Sequence, residues 1–419
     1  VILDWDWTGR LVIQIFSEYI PNIDSIYGVM SGMFKRLSNP LLSQSFFIFG
    51  ARGTGKSTLV KDLLSKSKTW VIDLLNADEL EHFSLHPQAL SQETLARKSE
   101  LEWVLIDEVQ KLPKLLDVVH SIMENPQARH IKFALTGSSA RKLKMVGANL
   151  LAGRAFVNEF YPLTYRELGD QFDLLTALNF GTLPKISSLN SELERKEYLR
   201  TYARTYVKEE VWDERLVQSL DPFRKFLEVA AQSNGNIVNY SKVAKQTGVD
   251  DKTVKKYFEI LADTFLGFYL ESYHRSVRSQ QILSPKFYLF DPGVKRSMEG
   301  MLNVPVAPRT YSFGRAFEHF ILCECHRLNS YLRLDYKFSY LKTKSDLEID
   351  LIIERPGQSV VVVEIKSTDV STEDDAAVLN QFIDDFPGAI YRVWSNDHRS
   401  LQYGDIKALH WEKGLAEVF

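Results

Sequence analysis

Residues 46–58 read Phe46-Phe47-Ile48-Phe49-Gly50-Ala51-Arg52-Gly53-Thr54-Gly55-Lys56-Ser57-Thr58. Four consecutive apolar residues predict a buried strand, and Leu59-Val60 followed by Leu63-Leu64 has the spacing of one helix face. Between them stands Gly50-x-x-x-x-Gly55-Lys56-Ser57. Strand, glycine-rich loop and helix in that order are the context of a phosphate-binding P-loop, or Walker A motif. The glycines let backbone N–H groups turn toward one anion, and the helix N-terminus adds its dipole. The positions expected to wrap the phosphates of ATP are Gly50, Ala51, Arg52, Gly53, Thr54, Gly55, Lys56, Ser57 and Thr58. Lys56 is expected on the β- and γ-phosphates, and the Ser57 hydroxyl on Mg²⁺.

Further pieces of the same machine follow. Thr69 to Asp73 reads as a second strand, and Ala77 to Glu100 as a polar helical stretch. Trp103-Val104-Leu105-Ile106-Asp107-Glu108 is an apolar run, as in a strand covered on both faces of a parallel sheet, and it ends in two acids. After a P-loop this is a Walker B pattern: Asp107 is expected to orient Mg²⁺ and Glu108 to activate water. A fourth strand, Ile131 to Leu135, ends in Thr136-Gly137-Ser138-Ser139. Ser138 is the candidate to meet the γ-phosphate, while a turn and helix cap explain the run equally well. Arg141 and Arg154 are candidate arginine fingers, acting in cis or from a neighbouring subunit of a homo-oligomer. An ordinary salt bridge is an equal alternative for each. Ligands of open α/β sheets gather beyond the carboxyl ends of the strands, where all these pieces fall.

Residues 1–44 show helical spacing, including Ile13, Phe16, Ile20, Met30, Met33, Phe34 and Leu37, with a break at Pro40. Residues 155–220 read as a helical lid, with a helix start near Tyr161 to Leu168 and a long helix from Leu193 to Arg215. Tyr198, Tyr202 and Tyr206 are expected to pack within it. Residues 222–275 have three short helices, with Gly248 in a tight turn and Val254, Tyr257, Phe258 and Leu261 facing inward. A strand at Phe268 to Tyr273 and a basic run from Arg275 to Arg278 would form a wing. Lys252, Lys255 and Lys256 would lie outside, facing DNA or a protein partner. Residues 221–280 carry 9 basic and 7 acidic residues, a faint footprint of nucleic-acid binding.

A second constellation lies near the C-terminus. Gly314 to Leu322 predicts a helix with Glu318 early on it. Leu347 to Glu354 alternates as a half-buried strand, Arg355 to Gln358 makes a hairpin turn, and Val360 to Ser367 is a buried strand. Glu364 and Lys366, two apart, share a face beside Asp350 on the paired strand. Asp350 and Glu364 could hold Mg²⁺, Lys366 could stabilise charge, and Glu318 could complete the site, as in a metal-dependent phosphodiesterase. An amphipathic hairpin with a surface ion pair is the competing reading. Residues 309–419 carry 13 basic and 18 acidic residues, which favours recognition over cutting.

At 419 residues with 45% hydrophobic and 25% charged content, the chain has the balance of a globular protein of two to four domains. No apolar run reaches the ~18–20 residues of a membrane helix. The start, Val-Ile-Leu-Asp-Trp-Asp-Trp, has no basic segment before an apolar one, so no secretory leader is expected; it also lacks a methionine, so earlier residues are expected. Cys323 and Cys325 are the two cysteines, pointing to different helix faces, which argues against a disulfide and for a cytoplasmic setting.

Taken together, the chain resembles a widespread prokaryotic ATPase family that joins an AAA-like P-loop domain to a C-terminal restriction-endonuclease-like domain of the PD-(D/E)xK type, of undefined function. The resemblance spans the chain after about residue 28 and rests on Gly50 to Thr58, Leu105 to Gln110, Leu135 to Ser139, Leu151 to Arg154, Tyr161-Pro162-Leu163, Asp350 and Glu364 to Ser367. Ala51-Arg52 departs from a usual Pro-Arg at variable positions. The resemblance implies an α/β fold. A P-loop NTPase parallel sheet (28–160) would be followed by a helical subdomain (161–220), a winged helix-turn-helix (221–282) and an α/β restriction-endonuclease-like domain (283–419). The expected function is an ATP- and Mg²⁺-dependent switch controlling a DNA-binding, metal-dependent nuclease module. The alternative is an ATP-dependent scaffold whose nuclease-like domain recognises nucleic acid or protein without cleaving it.

Overall fold

Hydrophobic strands and helices follow one another over the described residues between Ser45 and Glu159, and their order dictates a parallel sheet. A computed structural model describes residues 34–139, 151–206, 220–273 and 284–419, and Arg36–Phe419 forms one unit. Strands β1 (Ser45–Phe49), β2 (Thr69–Asp73), β3 (Trp103–Asp107), β4 (Lys132–Gly137) and β5 (Ala155–Glu159) build a parallel sheet in the order β2-β3-β4-β1-β5. The central strands β1, β3 and β4 are covered on both faces, as their apolar runs require, while the edge strands β2 and β5 are partly exposed. Phe47, Phe49, Ile106 and Phe133 face helices α2 (Ala77–Leu85), α3 (Ala89–Ala96) and α4 (Leu115–Glu124). Phe46, Ile48 and Leu105 face α1 (Lys56–Leu63) together with Phe160 and Tyr331.

Three expectations change here. The stretch 77–100 splits into α2 and α3 around Pro87, which has no N–H for a continuous helix. Residues 155–159 form the edge strand β5 rather than the start of a lid, because Phe156 to Glu159 pair with Phe46 to Phe49. Arg36 and Leu37 are irregular rather than helical, and the helix expected over 1–33 lies outside the described residues.

The middle of the chain is helical. Thr164 and Glu167 close a capping box on α5 (Tyr165–Leu168). Next come α6 (Leu174–Phe180), α7 (Pro184–Ser187) and α8 (Glu192–Thr201). The chain then widens into a π-helical turn over Tyr202–Tyr206; residues 207–219 of the long helix expected to Arg215 lie outside the described residues. Helices α9 (Leu220–Gln232), α10 (Tyr240–Thr247) and α11 (Asp251–Asp263) follow, with Asn239 capping α10 and Asp250 capping α11. As expected, Val254, Tyr257, Phe258 and Leu261 point inward, and Phe226 stacks its edges against Tyr257 and Phe258.

The strand expected in a wing also joins a larger sheet. Strands β6 (Gly267–Ser272) and β7 (Lys286–Leu289) form an antiparallel hairpin, and the far end of β6 pairs in parallel with β8 (Lys337–Lys342). The hairpin is therefore the edge of a larger sheet with β9 (Glu348–Glu354), β10 (Val361–Lys366), β11 (Ile390–Ser395), β12 (Leu401–Tyr403) and β13 (Ile406–His410). Its order is β12-β13-β11-β10-β9-β8-β6-β7. A boundary at 282/283 would cut through it. Arg275 to Arg278 lie outside the described residues. Helix α12 (Pro292–Met298) leads to α13 (Tyr311–Leu332), which lays Phe317, Phe320, Ile321 and Leu328 on one sheet face with Trp394 and Trp411. Short α14 (Ala377–Asn380) covers the other face and α15 (Trp411–Val418) ends the chain. Cys323 and Cys325 on α13 are buried free thiols, and burial pushes Cys323 up to about 12.

Candidate functional site

The loop between β1 and α1 has the backbone its sequence demands. A Cβ on Gly50 would stand 1.9 Å from the Phe160 carbonyl oxygen, so only glycine fits. Gly55, with φ of 96°, turns the chain into α1 through the left-handed region that glycine enters without strain. Lys56 is 4% exposed, and its Nζ donates to the carbonyls of Gly50 (2.6 Å) and Ala51 (3.0 Å), lying back across the loop. Thr54 Oγ1 donates to the Ala51 carbonyl at 2.8 Å.

The C-terminal end of β3 meets this loop. Ser57 Oγ donates to Asp107 Oδ1 at 2.8 Å, and Thr136 Oγ1 donates to the same oxygen. The Thr136 hydroxyl also accepts from the Glu108 N–H at 3.1 Å. Glu108 has φ of 58°, unusual outside glycine and costing about 1–3 kcal/mol. That turn swings its side chain off the strand direction toward Gln110. Gln110 Nε2 donates to Glu108 Oε2 and, at 3.0 Å, to Ser138 Oγ. Gln110 Oε1 is buried with no partner. Ser57, Asp107, Glu108, Thr136 and Ser138 are thus one hydrogen-bonded edge. Gln110 is a member that the sequence reading passed over, although it sits inside the quoted Leu105 to Gln110 run.

Neighbouring elements grip the loop. The buried Arg36 guanidinium donates to the Thr54 carbonyl (2.7 Å), Glu167 Oε1 (2.9 Å), the Tyr161 carbonyl (2.7 Å) and Tyr331 Oη (3.0 Å). Tyr202 Oη donates to the Arg52 carbonyl at 2.9 Å, and Ala51 belongs to the apolar core of the helical middle. Tyr202 is a packing residue as expected, and what it packs on is the P-loop. Nothing in the sequence around Arg36 announces its role. Arg154 stands elsewhere. It precedes β5, whose Ala155 pairs with Ser45 at the start of β1, and its Nη2 pairs with Glu124 at 2.6 Å. Arg154 is therefore at the opposite end of the sheet from its own P-loop, which corrects a finger acting in cis. Arg141 lies outside the described residues.

The C-terminal residues also come together. Val363 opposes Leu351, which brings Glu364 beside Asp350. Asp350 Oδ2 accepts from the Ile365 N–H at 2.8 Å, and Lys366 Nζ donates to Glu364 Oε1 at 2.7 Å. Tyr288 Oη donates to Glu318 Oε1 at 2.6 Å. Burial pushes the Asp350 carboxyl well above the usual range, with Glu364 and Glu318 adding to it. Burial raises Glu364 against the pull of Lys366. Lys286, 3% exposed, places Nζ 2.5 Å from Glu348 Oε1 and 3.6 Å from Glu318 Oε1. Burial works against its charge, yet Glu318, Glu348 and Asp350 hold it above its ordinary value. Lys286 and Tyr288 were missed by sequence reading; a lysine at the head of an apolar strand was their signal.

These residues do not fit the expected metal. Among the described residues, no group of three or more His, Cys, Asp or Glu side chains could hold a metal ion. The physical reason is that the carboxylates are already engaged by Ile365, Lys366, Tyr288 and Lys286. Glu364 Oε2 alone is a buried oxygen without a partner. Asp350 and Glu364, where the metal was expected, are already bonded to the Ile365 N–H and to Lys366, and no chemistry is routed through a metal there.

Comparison with known proteins divides the chain in three. A model described as an AAA domain matches residues 43–169. The N-terminal part is an AAA-type, P-loop ATPase-like domain. Domains of unknown function match residues 171–304 (DUF8612) and 313–413 (DUF4143). An uncharacterized protein of Mycobacterium tuberculosis is 23% identical over 309 residues, 74% of this chain and 67% of that protein. One from Haemophilus influenzae is 23% identical over 287 residues, 62% and 71% of the two chains. Among solved structures, the Thermotoga maritima RuvB Holliday junction branch migration motor is 20% identical, covering 54% of this chain and 81% of that one, with a TM-score of 0.27. Replication initiator DnaA bound to AMPPCP and single-stranded DNA is 17% identical, covering 52% and 82%, with a TM-score of 0.28. Among the described residues, no helix is long and apolar enough to cross a membrane.

Proposed function

We propose that this chain is an ATP-hydrolysing switch. The observation that carries the reading is the 2.8 Å bond between Ser57 and Asp107, which joins loop and Walker B strand at one sheet edge. Hydroxyl and carboxylate oxygens so placed suit Mg²⁺, which Ser57 and Asp107 would hold and which supplies charge neutralisation on the phosphates when bound. Lys56 leaves the Gly50 and Ala51 carbonyls for the β- and γ-phosphates. The loop amides and the α1 N-terminus bind the remaining phosphate oxygens. Glu108, released from Gln110, accepts a proton from the water that attacks the γ-phosphorus; ADP and phosphate leave. Ser138 stands where the γ-phosphate can be sensed. A finger from Arg154 remains open only across a homo-oligomer interface. Glu108→Gln should keep ATP binding and lower phosphate release by about 100-fold or more. A variant that hydrolyses at the parent rate would remove Glu108 from the mechanism.

For the C-terminal half, the engaged carboxylates favour recognition without cleavage. Lys252, Lys255 and Lys256 are exposed on one helix, α11, and suit contact with a nucleic-acid backbone. Plasmid, linear and single-stranded DNA incubated with Mg²⁺ or Mn²⁺, with and without ATP, should stay intact. Cleavage that disappears in Asp350→Asn would restore the nuclease reading.

A further inference from the structure

The C-terminal carboxylates raise the question of what balances their charge. Glu318 comes from α13, Glu348 and Asp350 from one face of β9, and Glu364 from β10. Glu364 is buried and the other three are half-buried; carboxylates brought together away from water need a cation, and a dedicated metal site would supply it with free oxygens. Here the cation comes from the chain. Lys286 at the head of β7 reaches past Tyr340, with Nζ 5.0 Å from the ring centroid, to Glu348 and Glu318. Two residues on, Tyr288 from the same face of β7 donates to Glu318. We propose that Lys286 is the resident cation of this pocket and keeps Mg²⁺ and Mn²⁺ out of it for as long as β7 holds its place.

The backbone secures that place. The Gly235 N–H donates to the Phe287 carbonyl and the Val238 N–H to the Pro285 carbonyl, both at 2.8 Å, on either side of Lys286. Ile237 bridges Lys286 itself. The helical middle thus delivers the lysine into a pocket whose acids belong to the C-terminal sheet. This inference stands apart from the ATPase reading, and cation binding, not cleavage, is its readout.

The test is Mn²⁺ titration calorimetry on the full chain in an Asp107→Asn background, which removes the carboxylate of the nucleotide edge from the measurement. Lys286→Met should tighten Mn²⁺ binding by about tenfold or more relative to Lys286, since an opposing charge at contact distance is gone. Lys286→Met/Glu348→Gln loses one charge of each sign, guards against misfolding of the single variant, and should also gain. Adding Asp350→Asn should abolish the gain. Equal affinity in parent and both variants, whether tight or absent, would overturn the proposal, as would a gain that survives Asp350→Asn.

Discussion

The phosphate-binding edge and the C-terminal pocket both gather acids at the end of a buried strand, yet they are built for opposite ends. At the first, Asp107 and Glu108 bond to small polar groups, Ser57, Thr136 and Gln110, which a nucleotide and its cation can replace without stranding a charge. At the second, Glu348 and Glu364 face lysines, and Glu318 receives a buried tyrosine hydroxyl. Removing Lys366 leaves the buried Glu364 charge behind, and removing Lys286 or Tyr288 leaves a half-buried one. The number of carboxylates at a strand end therefore says little. What they already hold decides whether a ligand is admitted.

Helix α13 connects the two regions, carrying Glu318 toward one end and Tyr331 at the other. Arg36 bonds both Tyr331 and the P-loop Thr54. Arg36→Ala would leave the buried Glu167 carboxylate without its guanidinium and should cost about 3–5 kcal/mol in denaturant unfolding. A loss under 1 kcal/mol would break the link between the regions. Acid should then tell the halves apart. Burial pushes His319 down to about 3 and His326 down to about 4, both on α13. Each folded value lies below the unfolded one near 6.5, so their contribution is complete above pH 6.5 and is lost as pH falls toward 4. The histidines' share of stability should fall between pH 6.5 and 4, against the opposite contribution of the raised carboxyls of Glu324, Asp350 and Glu364. His319→Gln, able to keep the bond to the Leu289 carbonyl, should flatten part of that slope. An unchanged slope would place the acid-sensitive groups elsewhere. Arg154→Ala should have the smallest effect, under about 1 kcal/mol, because its pair with Glu124 is exposed on both sides.

The first region was legible in the sequence because its chemistry is local. Gly50 to Ser57 must follow a strand and precede a helix, and Asp107-Glu108 must end one, so both were expected at the carboxyl edge of one parallel sheet. The hairpin that sets Asp350 beside Glu364 was legible for the same reason. Contacts between distant segments were not. Arg36 meets residues 18 to 295 positions away, and Lys286 meets Glu348 across the sheet. No periodicity encodes such meetings. The pairing of β6 with β8 was not legible, because β6 has the same alternation whether it ends in solvent or joins a larger sheet. The choice between a cis finger and a salt bridge at Arg154 was not legible, because a motif reveals an arginine but not the end of the sheet it occupies.

Steady-state phosphate release from ATP and Mg²⁺, measured in parallel on the parent, Lys56→Ala and Asp350→Asn, tests the division of labour most directly. The two-edge account predicts turnover by the parent, a loss of about 100-fold or more in Lys56→Ala, and a rate within about twofold of the parent in Asp350→Asn. Full turnover by Lys56→Ala, or collapse of turnover in a folded Asp350→Asn, would contradict it.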